Sequence, residues 1–136
     1  MTHDLAADPM DELLAAAREA SRRAYCPYSN FHVGAAIRAG GRIFTGANVE
    51  NASYGLTVCA ERTAVFAAVL AGCTAIEAIA VACVDAPEGS TYELLTPCGA
   101  CRQVLAEFAG GDTPVIVDRL GRMTLDDLLP KAFRLR

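Results

Sequence analysis

Three features of the sequence predict an α/β fold, with helices covering a mostly parallel sheet that opens on an antiparallel hairpin. Segments with apolar residues at helical spacing alternate with short runs rich in β-branched residues. Gly40-Gly41 separates two such runs, as the turn of a hairpin does. The run from Ala75 to Val84 is apolar almost throughout, the pattern of a strand covered on both faces. At 136 residues the chain reads as a single domain spanning 1–136, with no repeats or low-complexity tracts.

In chain order, Asp8-Pro9 supplies a capping residue and a first-turn proline. Met10, Leu13, Leu14, Ala17, Ala20 and Ala24 then recur on one helical face, predicting a helix over about 9–24. Cys26-Pro27-Tyr28-Ser29-Asn30 breaks it. Strands follow at Val33 to Ile37 and Arg42 to Val49. Val58, Arg62, Val65, Phe66 and Val69 predict a second helix over 57–70, stopped by Gly72. After the 75–84 strand, residues 85–92 read as a loop. Cys101, Val104, Leu105 and Phe108 predict a third helix over 98–108, ending at Gly110-Gly111. Pro114 to Val117 reads as a short strand, Arg122 to Thr124 as a candidate last strand, and Leu125 to Leu129 as a final helical turn or two.

Composition narrows the function. The net charge is −4, and no basic run is longer than Arg22-Arg23, so the clustered positive field that holds long nucleic acid is missing. No basic segment followed by an apolar stretch opens the chain, and no uncharged stretch is long enough for a membrane span. A soluble cytoplasmic protein without a membrane or polynucleotide partner is expected. The chain is 53% hydrophobic, partly through alanine; the surplus suits either a tight interior or a subunit interface. Six cysteines in a chain of this kind point to metal or redox chemistry for clustered pairs rather than to disulfides.

Two motifs stand at predicted helix starts: Cys59-Ala60-Glu61 and Pro97-Cys98-Gly99-Ala100-Cys101. Parallel βα units bring their helix N-termini to one edge of a sheet, so thiols 39 positions apart can converge. Helix N-termini also favour thiolates, through the dipole and free N–H groups. Three cysteines suit a catalytic zinc, since three protein ligands leave a fourth tetrahedral position for water. Three thiolates give such a centre a formal charge of −1, which makes its water less acidic. Arg62 is the candidate cation that hydrogen-bonds a ligand sulfur and withdraws that charge. Glu61, two residues from a ligand, is placed to shuttle protons between the water, a ring nitrogen and the leaving ammonia. A lone C-x-x-C also fits a redox pair or half of a structural zinc site. His32 is the rival for a fourth ligand, although a lone strand histidine is more often a packed or surface residue. Cys26, Cys73 and Cys83 have apolar neighbours and read as buried inert thiols.

The two motifs resemble the zinc nucleobase deaminase signature, with cysteine at 59 where many members carry histidine. Residues 28–36 (Tyr-Ser-Asn-Phe-His-Val-Gly-Ala-Ala), 46–55 (Gly-Ala-Asn-Val-Glu-Asn-Ala-Ser-Tyr-Gly), 59–64, 97–104 and 128–133 extend the similarity to the small homotetrameric cytidine deaminases over nearly the whole chain. The resemblance implies a three-layer α/β/α fold with a mixed five-stranded sheet. It also implies one zinc per chain on Cys59, Cys98 and Cys101, and Glu61 as the proton shuttle. It further implies Asn48 and Glu50 on the ribose 3′-hydroxyl, Phe31 against the pyrimidine, backbone at Ala60 reading the base, and the Thr96 carbonyl meeting the departing amine. Tyr54 and Phe133 match aromatics lent to a neighbouring subunit's site in a homotetramer. The expected substrates are cytidine and deoxycytidine, in pyrimidine salvage. A blasticidin-type deaminase shares Gly41 to Gly46 and both zinc motifs but is expected to lack Asn48-Val49-Glu50-Asn51. A non-catalytic zinc or redox protein would leave Glu61 without a role.

Overall fold

The structure is a computed structural model that describes residues 8–135. Helix α1 (Pro9–Ser21) starts on the Asp8 carboxylate, which accepts from the Met10 N–H at 2.9 Å. It ends three residues before the sequence reading placed its end. Strands β1 (Val33–Ala39) and β2 (Arg42–Ala47) form the expected hairpin. Its turn residues Gly40 and Gly41 lie at φ +60° and +73°, the left-handed pair that a two-residue hairpin turn of this type requires. Helix α2 (Ala60–Leu70), β3 (Ile76–Cys83), a short α3 (Tyr92–Leu95), α4 (Gly99–Phe108), β4 (Pro114–Val117), β5 (Gly121–Thr124) and α5 (Leu125–Leu128) follow. Helix α3 begins on Tyr92, the last residue of the predicted 85–92 loop; at four residues it is too short to show a periodicity.

The five strands form one mixed sheet in the order β2-β1-β3-β4-β5. Here the expectation of a mostly parallel sheet is corrected: β1 pairs antiparallel with both β2 and β3, β4 with β5 likewise, and only β3–β4 is parallel. Alternating strands and helices show that strands need covering. They do not show that β1 inserts between β2 and β3. The convergence argument survives the change, because β2 and β3, each antiparallel to β1, run in the same direction and end at the same edge.

The sheet is covered on both faces. Leu13 and Ala17 of α1 pack on Ala36, Ala78, Ala80, Ala82 and Ile116. The other face, with Ala35, Ile37, Ile79, Val81 and Val115, meets Ala64, Val65 and Ala68 of α2 and Leu105 of α4. The α1–sheet layer is built largely of alanine, and these small side chains let the helix lie close to the strands. Gly46 does the same for the active edge. A Cβ there would sit 2.5 Å from the Ala60 carbonyl oxygen, so its absence lets β2 run against the first turn of α2. Among the described residues, no helix is long and apolar enough to cross a membrane.

Candidate active site

Cys59 and Cys98 occupy the N-cap positions of α2 and α4, and neither side chain caps its own helix. Both sulfurs are therefore free to turn toward each other. Cys101, in the first turn of α4, is fully buried. The Cys59 and Cys98 sulfurs are 3.9 Å apart and those of Cys98 and Cys101 3.4 Å; all three lie within 4.8 Å of one another. A tetrahedral ion with metal–sulfur bonds of about 2.3 Å needs sulfurs about 3.8 Å apart. The trio fits zinc on spacing and on donor chemistry. His32 does not join it: its Nδ1 lies 2.6 Å from Asp85 Oδ2.

Charge at the sulfurs is arranged by hydrogen bonds. The Cys59 thiol is held down to about 5, first by a hydrogen bond from Cys101, then by Arg62 and Cys98, against the opposing effect of burial. Cys101 is correspondingly pushed up, by donating to that thiolate and by burial. Zinc takes all three sulfurs as thiolates, so its binding is coupled to proton release. Arg62 Nη2 stands 3.5 Å from Cys59 Sγ and 3.4 Å from the Thr57 carbonyl.

Glu61 is 4% exposed. Burial pushes its carboxyl up to about 7, and the negative charge at Cys59 adds to this; a backbone N–H and Arg62 oppose it. A carboxyl that gains and loses a proton easily near neutrality is suited to proton transfer. It lines a cavity of about 200 Å³ together with Phe31, Asn48, Cys59, Ala60, Thr96 and Cys98. Thr57 also lines a second cavity, of about 420 Å³, whose walls include Ser29, Glu50, Asn51 and Tyr54.

The second cavity is built by a loop. Val49 bridges Val58, closing residues 50–57 into an excursion between β2 and α2. Glu50 is fixed by the Tyr28 and Ser29 N–H groups, at 3.0 and 3.2 Å, and by the Ser29 hydroxyl. Those donors hold its carboxylate below the usual range, the hydroxyl most. Asn48 is buried; its Nδ2 donates to the Phe31 carbonyl at 2.8 Å and its Oδ1 accepts from the Val33 N–H at 2.9 Å. One donor hydrogen and one lone pair are left over. Phe133 lies outside both cavities and is 69% exposed. Its carbonyl accepts from Gln103 Nε2 at 3.0 Å.

Cys83, read from sequence only as a buried thiol, also lines the smaller cavity. It is pushed up to about 11, chiefly by burial, and so remains a neutral thiol. Its place at the C-terminal end of β3 was the available signal, since ligands of α/β sheets collect at strand ends.

A three-sulfur centre with an open side, a buried carboxyl beside it, and a helix-flanked mixed sheet together define a zinc-dependent hydrolase site. A family model described as the cytidine and deoxycytidylate deaminase zinc-binding region matches residues 8–117. The chain is 46% identical over 129 residues to a cytidine deaminase of Sporosarcina psychrophila, covering 91% of this chain and 90% of that protein. It is 50% identical over 124 residues to one of Mycobacterium tuberculosis, covering 88% and 85%. Among solved structures, the cytidine deaminase of Burkholderia pseudomallei superposes with a TM-score of 0.79 at 44% identity, over 98% of this chain and 100% of that one. That of M. tuberculosis gives 0.81 at 42%, over 95% and 100%. The chain belongs to the cytidine and deoxycytidylate deaminase family.

Proposed function

We propose that this chain hydrolyses the 4-amino group of cytidine and deoxycytidine, consuming one water and releasing uridine or deoxyuridine and ammonia. The observation that carries the reading is Glu61, a buried carboxyl beside three converging sulfurs, in a cavity that shares the wall residue Thr57 with a second one carrying Glu50. Cys59, Cys98 and Cys101 would hold one zinc per chain, which when bound would lower the pKa of a water well below its bulk value. Glu61 takes one proton of the attacking water and passes it to the pyrimidine N3; it then takes the second from the hydroxyl now on C4 and gives it to the departing amine as the C4–N bond breaks, so both protons of the water are accounted for. Arg62 offsets negative charge at Cys59. Phe31 packs on the pyrimidine, backbone at Ala60 reads the base, and the Thr96 carbonyl accepts from the leaving amine.

Glu50 and the unused donor and lone pair of Asn48 take the 3′ side of the sugar, so loss of the 2′-hydroxyl is tolerated and both nucleosides react. Tyr54 and Phe133, exposed in the single chain, serve neighbouring sites in a homotetramer. The net charge of −4 suits a free nucleoside rather than a polynucleotide, and we place the enzyme in cytoplasmic pyrimidine salvage.

Conversion of cytidine to uridine, followed by ultraviolet absorbance with zinc-loaded protein, tests the reading. Glu61→Gln is expected to keep zinc and lose activity by at least about 10²–10⁴-fold. Wild-type protein that holds one zinc but leaves cytidine and deoxycytidine unchanged defeats it.

A further inference from the structure

We propose that Arg102 is the positioning residue for the zinc site: it holds the 96–98 strap, and through it Cys98, from the side away from the cavity. The proposal rests on the deaminase reading above for its catalytic arm only; its metal arm stands on the cysteine trio alone.

The three sulfurs are not equally secured. Cys101 is fully buried within α4. Cys59 has the Arg62 guanidinium beside it. Cys98 is exposed, caps α4 without a side-chain hydrogen bond, and hangs on the strap that precedes the helix. The middle residue of that strap is Pro97, which is fully buried and has no N–H, so no backbone donor can anchor it there. What anchors it is a set of acceptors facing one cation.

Arg102 Nε donates to the Pro97 carbonyl at 2.7 Å, and Nη2 to the Thr96 hydroxyl at 3.0 Å. Nη1 donates to the Leu128 carbonyl of α5 at 2.6 Å. The Thr96 hydroxyl in turn donates to the Tyr92 carbonyl of α3 at 2.6 Å. One planar guanidinium thus ties the strap to α5 directly and to α3 through Thr96. Helix geometry explains the reach. Arg102 follows Cys101 and is turned about 100° from it around the axis; its side chain leans toward the helix N-terminus, where the strap lies. Thr96 and Cys98 line the cavity, whereas Arg102 does not. Lysine cannot replace it, because a single ammonium does not present a rigid fork to three separated acceptors.

The test uses full-length zinc-loaded Arg102→Ala and Arg102→Lys, and reads zinc release to a chromophoric chelator at a temperature well below the unfolding midpoint of each protein. Both variants are expected to release zinc on the order of 10–100-fold faster than wild type, the usual scale for removing a group that orients a metal ligand. The visible spectrum of the cobalt-substituted protein is expected to change with them. In the cytidine assay kcat is expected to fall with little change in KM, since the strap sets the reacting end and not the sugar end. Should Arg102→Ala not fold, Thr96→Val, which exchanges the hydroxyl for a methyl group of similar size, is expected to speed zinc release in the same direction by a smaller factor. Folded variants that release zinc at the wild-type rate with an unchanged cobalt spectrum overturn the proposal, whatever they do to thermal stability. Zinc release is read without substrate, so a wild type inactive on cytidine defeats the functional reading and leaves this result standing.

Discussion

At the sulfur end of the cleft, Glu61 is 4% exposed, Cys101 is fully buried, and each bracing group comes from the chain's own helices. At the end proposed to take the sugar, Glu50 sits on a loop and Tyr54 is 78% exposed; Phe133, proposed to serve a neighbouring chain's site, is 69% exposed. The first region is positioned by two helix N-termini, whose place is set by strands β2 and β3 ending at one edge. The second is built on the excursion over 50–57, and in the proposed assembly the tail after α5 of a neighbouring chain completes it. A metal centre must hold its ligands to a few tenths of an ångström. A sugar site can be completed by a neighbouring subunit, provided the aromatic that completes it stays exposed until assembly.

Cys101→Ala is the strongest way to break this comparison. If the sulfur end is complete within one chain, removing its most buried ligand abolishes zinc binding and lowers turnover by several orders of magnitude, because the attacking water returns to its bulk acidity. Metal analysis of the purified variant checks it. Zinc retained at one per chain would mean that another group completes the centre.

Phe133→Ala sharpens the other side. A side chain this exposed contributes little to the fold of its own chain, so the thermal midpoint is expected to move little, within about 0.5 kcal/mol of stability. Zinc content is expected to stay the same. KM for cytidine is expected to rise about two- to tenfold, the scale of one lost aromatic contact. Unchanged kinetics in an intact oligomer would show that the tail plays no part in the site.

The same contrast decides what was legible in the sequence. The cysteine trio could be read because its spacing is local at each helix start, and because β2 and β3 run the same way whichever strand lies between them. Strand order could not be read, since an apolar run does not name its neighbours; the mostly parallel sheet was the result. Asn48 looks like a strand-end residue in sequence, yet both ends of its amide hold backbone of the Phe31–Val33 segment. Nor does any pattern reveal that Arg102 reaches Leu128, 26 residues away. Local spacing carries chemistry forward, whereas contacts made by long side chains across the fold emerge only with the tertiary structure.

The smallest expected effect lies outside both cavities, at His32 and Asp85. Asp85 accepts from the His32 N–H at 2.8 Å and faces its Nδ1 at 2.6 Å, tying the residue after Phe31 to the loop that follows β3. The His32 backbone N–H, and then its ring, hold the Asp85 carboxyl below its ordinary range. A carboxylate whose pKa is depressed on folding stabilises the folded state above its unfolded value of about 3.9, and that contribution is lost as the pH falls through the lower folded value. Both groups are partly exposed, so Asp85→Asn is expected to cost no more than about 1 kcal/mol at neutral pH. The gap between variant and wild type should close below about pH 4 as the wild-type carboxylate takes up its proton. Denaturant midpoints measured from pH 7 down to pH 3 test this. A gap that stayed constant across that range would mean that the His32–Asp85 tie is steric and carries no charge contribution.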